Sequence, residues 1–224
     1  MIEKQLESPG YLRSLEIKGG SGSGSWEGPG NPRFARGEVE GKVSSILKEV
    51  KEAKEYGINT FSTYGRERFG MTKDQQSNIY DYVMRDKEPV GKRKKTLDLL
   101  ASKAKGSTDP IIVYRGLRCN KDMIQGIEKS LKSGKIPTIQ LNRPSSWTNS
   151  SKVAYNFSKP GGPRSEYGKE GILLKILAPK GTKAVRLDIA FGVGAETLLP
   201  TGAKFCIVKV EKVRSVYRFI GKLV

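Results

Sequence analysis

From Glu38 to Tyr56 the apolar residues Val39, Val43, Ile46, Leu47, Val50 and Ala53 recur at helical spacing, which predicts an amphipathic helix ended by Gly57. The stretch "MTKDQQSNIYDYVMR" places Thr72 as N-cap with Gln75 three residues on, close to a capping box, and "KKTLDLLASKA" predicts a further helix. After Pro110 the texture changes. "IIVYRGL", "GILLKILAP", "KAVRLDI" and "KFCIVKVEKV" are short runs rich in β-branched residues and separated by Gly and Pro, which predicts strands. One more helix, "KDMIQGIEKSLKSG", interrupts them. A helical first half followed by a mixed or antiparallel sheet is an α+β class.

Gly19 to Gly37, "GGSGSGSWEGPGNPRFARG", combines glycine, serine and proline without apolar periodicity, so residues 1–37 are expected to be a flexible leader and 38–224 one principal domain. The start lacks the pattern of a secretory signal, and no run approaches the roughly 18 apolar residues of a membrane span. Host cytoplasm or a virion is the expected location.

The chain has 224 residues and a formal charge of +18, which argues for an anionic partner such as nucleic acid, a phosphorylated ligand or an acidic surface. A merely solvated basic face explains runs such as "GKRKK" equally. Histidine is absent, and Cys119 and Cys206 are the only cysteines, without metal-ligand spacing. Zinc sites, His-dependent triads and histidine acid-base chemistry are thereby excluded in their usual forms.

Three places carry candidate chemistry. Arg115 follows the apolar run Ile111 to Tyr114, where an inward guanidinium needs an anionic partner, either a ligand or a structural salt bridge. "PSSWTNSSKVAYNFS" gathers hydroxyl and amide side chains around Trp147 before helical spacing resumes at Val153, Ala154 and Phe157, so its hydroxyls serve as a polar site or as N-caps. Glu196 stands at the entrance of the apolar run Thr197 to Leu199, either a solvated edge carboxylate or an acid facing a cation.

Taken in order, these segments resemble the ADP-ribosyltransferase family, in the branch marked by an aromatic-Arg strand, a Ser-Thr-Ser strand and a Glu-x-Glu or Gln-x-Glu loop. "VYRGL" is similar to the first motif, "SSWTNSSKVAYNFS" to the second with Ser146, Trp147 and Thr148 aligned on Ser-Thr-Ser, and "GAETLLPTGAKFCIVKV" to the third. The resemblance runs from about Met71 to the C-terminus. It implies a helical part packed on a split two-sheet β core that encloses an NAD cleft.

The resemblance further implies that NAD is the substrate and assigns roles. Arg115 would hold the phosphate and ribose side of NAD, Ser146 would support the site framework, and Glu196 would bind the nicotinamide-ribose 2′-hydroxyl and stabilise the oxocarbenium-like charge that develops as nicotinamide leaves. Gly116, Trp147, Thr148 and Phe157 complete the expected cofactor-binding set, Trp147 either stacking on nicotinamide or filling the core. Two residues before Glu196 the family carries Glu or Gln, and this chain has Gly194, which offers no side chain to the acceptor. Asp188 lies on the same segment at a spacing that does not fit that role.

The implied activity is mono-ADP-ribosyl transfer to a macromolecular acceptor, protein or nucleic acid. NAD glycohydrolysis and a basic nucleic-acid-binding or packaging module with an inactive fold are the competing expectations. The glycine-rich leader is similar to leaders on bacteriophage head-associated proteins.

Overall fold

The computed structural model describes residues 15–17, 36–53, 61–85, 87–162, 169–187 and 196–224. In chain order these form β1 (Leu15–Ile17), α1 (Arg36–Glu52), β2 (Ser62–Thr63), α2 (Tyr64–Glu67), α3 (Lys73–Met84), α4 (Gly91–Lys103), β3 (Ile111–Cys119) and α5 (Lys121–Lys132). Then follow β4 (Thr138–Leu141), β5 (Ser145–Thr148), α6 (Ser151–Ser158), β6 (Glu170–Ala178), β7 (Val185–Leu187), β8 (Glu196–Leu199), β9 (Lys204–Val213) and β10 (Val216–Leu223). The predicted end of the first helix at Tyr56 and Gly57 lies outside the described residues. Of the leader, Leu15–Ile17 is in the sheet, antiparallel to β4, and α1 begins at Arg36. Residues 1–14 and 18–35 lie outside the described residues.

The strands run in the order β1-β4-β9-β10-β6-β3-β5-β8-β7-β2. The sheet is mixed: β10 lies parallel to β6 and β2 parallel to β7, while the other pairs are antiparallel. Its two halves meet at one paired position, Tyr114 opposite Thr148, whereas β3 pairs with β6 along its whole length from Ile111 to Cys119. The two-sheet core implied by the resemblance is therefore two sheets sharing a narrow seam.

Three apolar clusters hold the layers. On one face Val113, Leu117, Leu174, Ile207 and Phe219 join Trp147 and Leu199 from the far side of the seam. On the other, Ile46 and Val50 of α1 cover Ile112, Tyr114, Leu173 and Val208. Ile79 of α3 and Leu97 and Leu100 of α4 pack on Val185, Leu187 and Leu198. All three helical side chains are fully buried, each worth about 1.5–3 kcal/mol relative to exposure. The capping box at α3 is complete: the Gln75 amide N–H donates to Thr72 Oγ1 and the Thr72 amide N–H to Gln75 Oε1.

Helix α6 lies unusually close to the sheet. A Cβ on Gly116 would stand 1.8 Å from the Ala154 carbonyl oxygen, and one on Gly171 would stand 2.1 Å from that of Ser158. Arg118, 8% exposed, completes the attachment by donating from Nη1 to the Ser158 carbonyl at 3.1 Å and from Nη2 to the Lys169 carbonyl at 2.6 Å. A cation at a helix C-terminus satisfies carbonyls that have no partner within the helix.

Cys119 and Cys206 are free thiols in buried positions, and burial pushes the Cys119 thiol up to about 12. No helix among the described residues is long and apolar enough to cross a membrane.

Candidate active site

Strand β5 carries the site because its alternation sorts adjacent residues to opposite faces. Ser145 and Trp147 share one face, and Ser146 and Thr148 the other. Antiparallel pairing sets Ser146 opposite Leu198 and Thr148 opposite Glu196, so Glu196 and Ser146 are diagonal neighbours on the same face. Their side chains meet: Ser146 Oγ donates to Glu196 Oε2 at 3.0 Å. Both residues are partly exposed.

The helical layer adds a third member. Tyr82, on α3, brings its hydroxyl 2.8 Å from Ser146 Oγ. The sequence reading missed it. A tyrosine three residues after the fully buried Ile79, on the same stripe, is the available signal, because a buried-side tyrosine hydroxyl needs a partner.

Strand β8 is held on the helical layer beyond Glu196. Leu198 is clamped between α3 and α4, and the turn after β8 is bound to α4 through Asp98. The Thr201 amide donates to Asp98 Oδ1 and the Thr201 hydroxyl to Asp98 Oδ2, each at 2.9 Å. The C-terminal turn of α3 is held by Asp81, which pairs with Lys87 at 2.8 Å and Arg85 at 3.1 Å. The hydrogen bond from Lys87, ahead of the charges of Lys87, Arg85 and Arg93, holds the Asp81 carboxyl below its ordinary range.

Arg115 approaches β5 from the opposite face. It is 6% exposed, donates from Nη1 to the Ser146 carbonyl at 3.1 Å, and its guanidinium carbon lies 5.9 Å from the centre of the Trp147 ring. The structure thus joins the Ser146 and Glu196 side chains directly, and ties Arg115 to the same strand through its main chain.

The rest of the expected cofactor-binding set is placed as follows. Trp147 is turned into the core, 2% exposed and edge-on to Phe205 at 5.6 Å, so it fills the core and offers no face to a cofactor. Gly116 is occupied by the close approach of α6, which requires a residue without a side chain. The Thr148 hydroxyl accepts from the Ser150 amide at 3.1 Å, and Ser150 in turn caps α6 by accepting from the Val153 amide at 3.4 Å. The N-cap reading therefore holds for Ser150. Phe157 stands on α6, 37% exposed. Gly194 and Asp188 lie outside the described residues. Among the described residues no group of acids and cysteines is arranged to hold a metal ion.

No protein-family model and no curated protein matches the chain. Solved structures do. An ADP-ribosyltransferase from Clostridium botulinum superposes with a TM-score of 0.52 at 16% identity, over 88% of this chain and 99% of that one. A protein from S. aureus, solved with NAD, gives 0.49 at 18% identity, over 87% of this chain and 98% of that one. An ADP-ribosyltransferase toxin from Paenibacillus larvae gives 0.48 at 14% identity, over 86% and 98%. The α+β fold is shared with the Clostridium botulinum ADP-ribosyltransferase, and this chain has the ADP-ribosyltransferase fold.

Proposed function

We propose that this chain is an NAD-dependent mono-ADP-ribosyltransferase acting on a macromolecular acceptor. The observation that carries the reading is the contact of Ser146 Oγ with Glu196 Oε2 at 3.0 Å, which unites two residues far apart in sequence on one partly open face of a sheet. The shared fold and the order of the three sequence motifs support it.

In this reading the bond between nicotinamide N1 and ribose C1′ breaks, and its electron pair leaves with nicotinamide. Positive charge develops at C1′ and the ring oxygen. Glu196, fixed by Ser146, places a carboxylate where that charge appears, so it stabilises the transition state more than bound NAD. An acceptor nucleophile then bonds to C1′ and releases its proton to solvent. The family resemblance gives Arg115 the phosphate side of NAD, and its bond to the Ser146 carbonyl ties it to the strand beside the acid. With glycine at position 194 and a charge of +18, the acceptor class extends from protein to nucleic acid.

The test is to supply labelled NAD and measure free nicotinamide against label retained on polymer, with a lysate and with nucleic acid as acceptors. Glu196→Gln is expected to reduce nicotinamide release by on the order of a hundredfold or more without unfolding the protein. Unimpaired turnover in that variant would refute the role of Glu196. Arg115→Ala is expected to weaken NAD binding, and unchanged affinity would remove its phosphate role. Nicotinamide release with no label on any polymer would instead support NAD glycohydrolysis, for which Glu196 alone suffices. Salt-sensitive polyanion binding with no NAD turnover would leave only a basic binding module.

A further inference from the structure

We infer that Tyr82 is a positioning residue for Glu196, acting through Ser146; the inference deepens the transferase reading and rests on it for its catalytic meaning.

The direction of the hydrogen bonds follows from the proton inventory. Ser146 has one hydroxyl proton and two neighbours, Glu196 Oε2 at 3.0 Å and the Tyr82 hydroxyl at 2.8 Å. An ionised carboxylate only accepts, so the serine proton goes to Glu196. The serine oxygen must then accept the proton of Tyr82. The chain runs from phenol to serine to carboxylate, and each donation polarises the next. Without the phenol, Ser146 keeps its single proton but loses the contact that fixes its rotor.

The support beneath Tyr82 is rigid. Its helix starts at a complete capping box, buries Ile79 against β8, and ends in the Asp81 cluster with Arg85 and Lys87. Glu196 opens β8, whose far end is bound to α4 by Asp98. The helical half of the molecule therefore reaches the acid by a path of one helix, one hydroxyl and one serine. A ligand-binding carboxylate at a strand entrance has several rotamers open to it, and this path selects one.

Two consequences separate a positioning role from simple packing. A hydrogen bond donated to a carboxylate favours its charged form, and the serine donates more strongly while it accepts from the phenol, so removing the phenol weakens that bond and raises the titration of Glu196. A fixed carboxylate matters most in the transition state, so turnover falls while the NAD requirement stays put.

The experiment compares the whole chain with Tyr82→Phe and, as control, Tyr80→Phe, whose ring is 43% exposed against Arg85. The Glu196 carboxyl is titrated by carbon-13 NMR, assigned with Glu196→Gln, in protein that needs no turnover for the measurement. Tyr82→Phe is expected to raise that titration by about half a pH unit, to lower kcat for nicotinamide release by about three- to tenfold with KM for NAD unchanged, and to leave the melting temperature near that of the parent. Tyr80→Phe is expected to change none of these.

An unmoved Glu196 titration in a folded Tyr82→Phe protein overturns the inference whether or not NAD is cleaved. Should the parent protein cleave no NAD while the titration moves as stated, the transferase reading fails and the positioning geometry stands. Should Tyr82→Phe fail to fold, Ser146→Ala carries the test, because it breaks the same chain at its middle, and an unmoved titration there overturns the inference equally.

Discussion

Ser145 and Ser146 are neighbours of identical chemistry on opposite faces of β5, so a slip of one residue in register exchanges them. Ser146 meets Glu196, while the Ser145 hydroxyl is buried with no hydrogen-bond partner among the described residues. Opposite outcomes are expected from one substitution at the two positions. Ser145→Ala removes an unpaired buried hydroxyl and is expected to leave stability unchanged or raise it by up to about 1 kcal/mol, with activity intact. Ser146→Ala is expected to lower nicotinamide release by about tenfold, since the acid loses its fixing bond. Denaturant unfolding and the nicotinamide assay on both variants check this, and a reversal would place the site on the other face. At this scale Arg115, Ser146 and Glu196 were legible because each lies in a stretch whose neighbours resemble a motif. Tyr82 was not, because its partner is 64 residues away and its own surroundings read only as helix.

The element laid closest on the sheet is α6, which packs on β3 and β6 where glycine leaves the backbone bare. Gly116→Ala is expected to destabilise the protein by about 2–3 kcal/mol, because a Cβ 1.8 Å from the Ala154 carbonyl forces the whole helix outward. A shift of the urea midpoint measures it, and an unchanged midpoint would mean that α6 can slide at no cost. The helices were legible from stripe and cap, with Thr72 and Gln75 reading directly as the start of α3. Strand β10 was not, although "VYRFIGKL" is apolar enough. Its hairpin from β9 turns at Arg214, a non-glycine residue with φ of 56°, so the usual Gly or Asn turn signal is missing. Strands β1, β2 and β4 have two to four residues each, too few for alternation to register.

For the whole molecule the governing quantity is the excess of cations, 41 Lys and Arg against 23 Asp and Glu. Among the described residues Asp81 and Glu211 are each held by several bases. Asp81 and Glu211 both have carboxyls below their ordinary range, Asp81 chiefly through the hydrogen bond from Lys87 and Glu211 chiefly through that from Lys209. A carboxyl depressed in the folded state contributes stability above its unfolded value, about pH 4, and loses that contribution as pH falls through the folded value. Acid unfolding is therefore expected to set in below about pH 4, sharpened by a net charge that grows as carboxylates are protonated. Asp81→Asn with Glu211→Gln is expected to shrink the fall in melting temperature between about pH 5 and pH 3, and an undiminished fall would show that other carboxylates govern it. The division of the sheet was legible only through the family resemblance, since no local pattern reports how many positions two distant strands share.

Where β3 passes β5, the main chains pair at a single place, and a side chain adds to the fastening, the guanidinium of Arg115 gripping the carbonyl of Ser146. Position 115 thus works as a rivet as well as a charge. Lysine would preserve the charge but not the planar donor group that makes this grip, and β5, which carries Ser146, would lose that tie to β3.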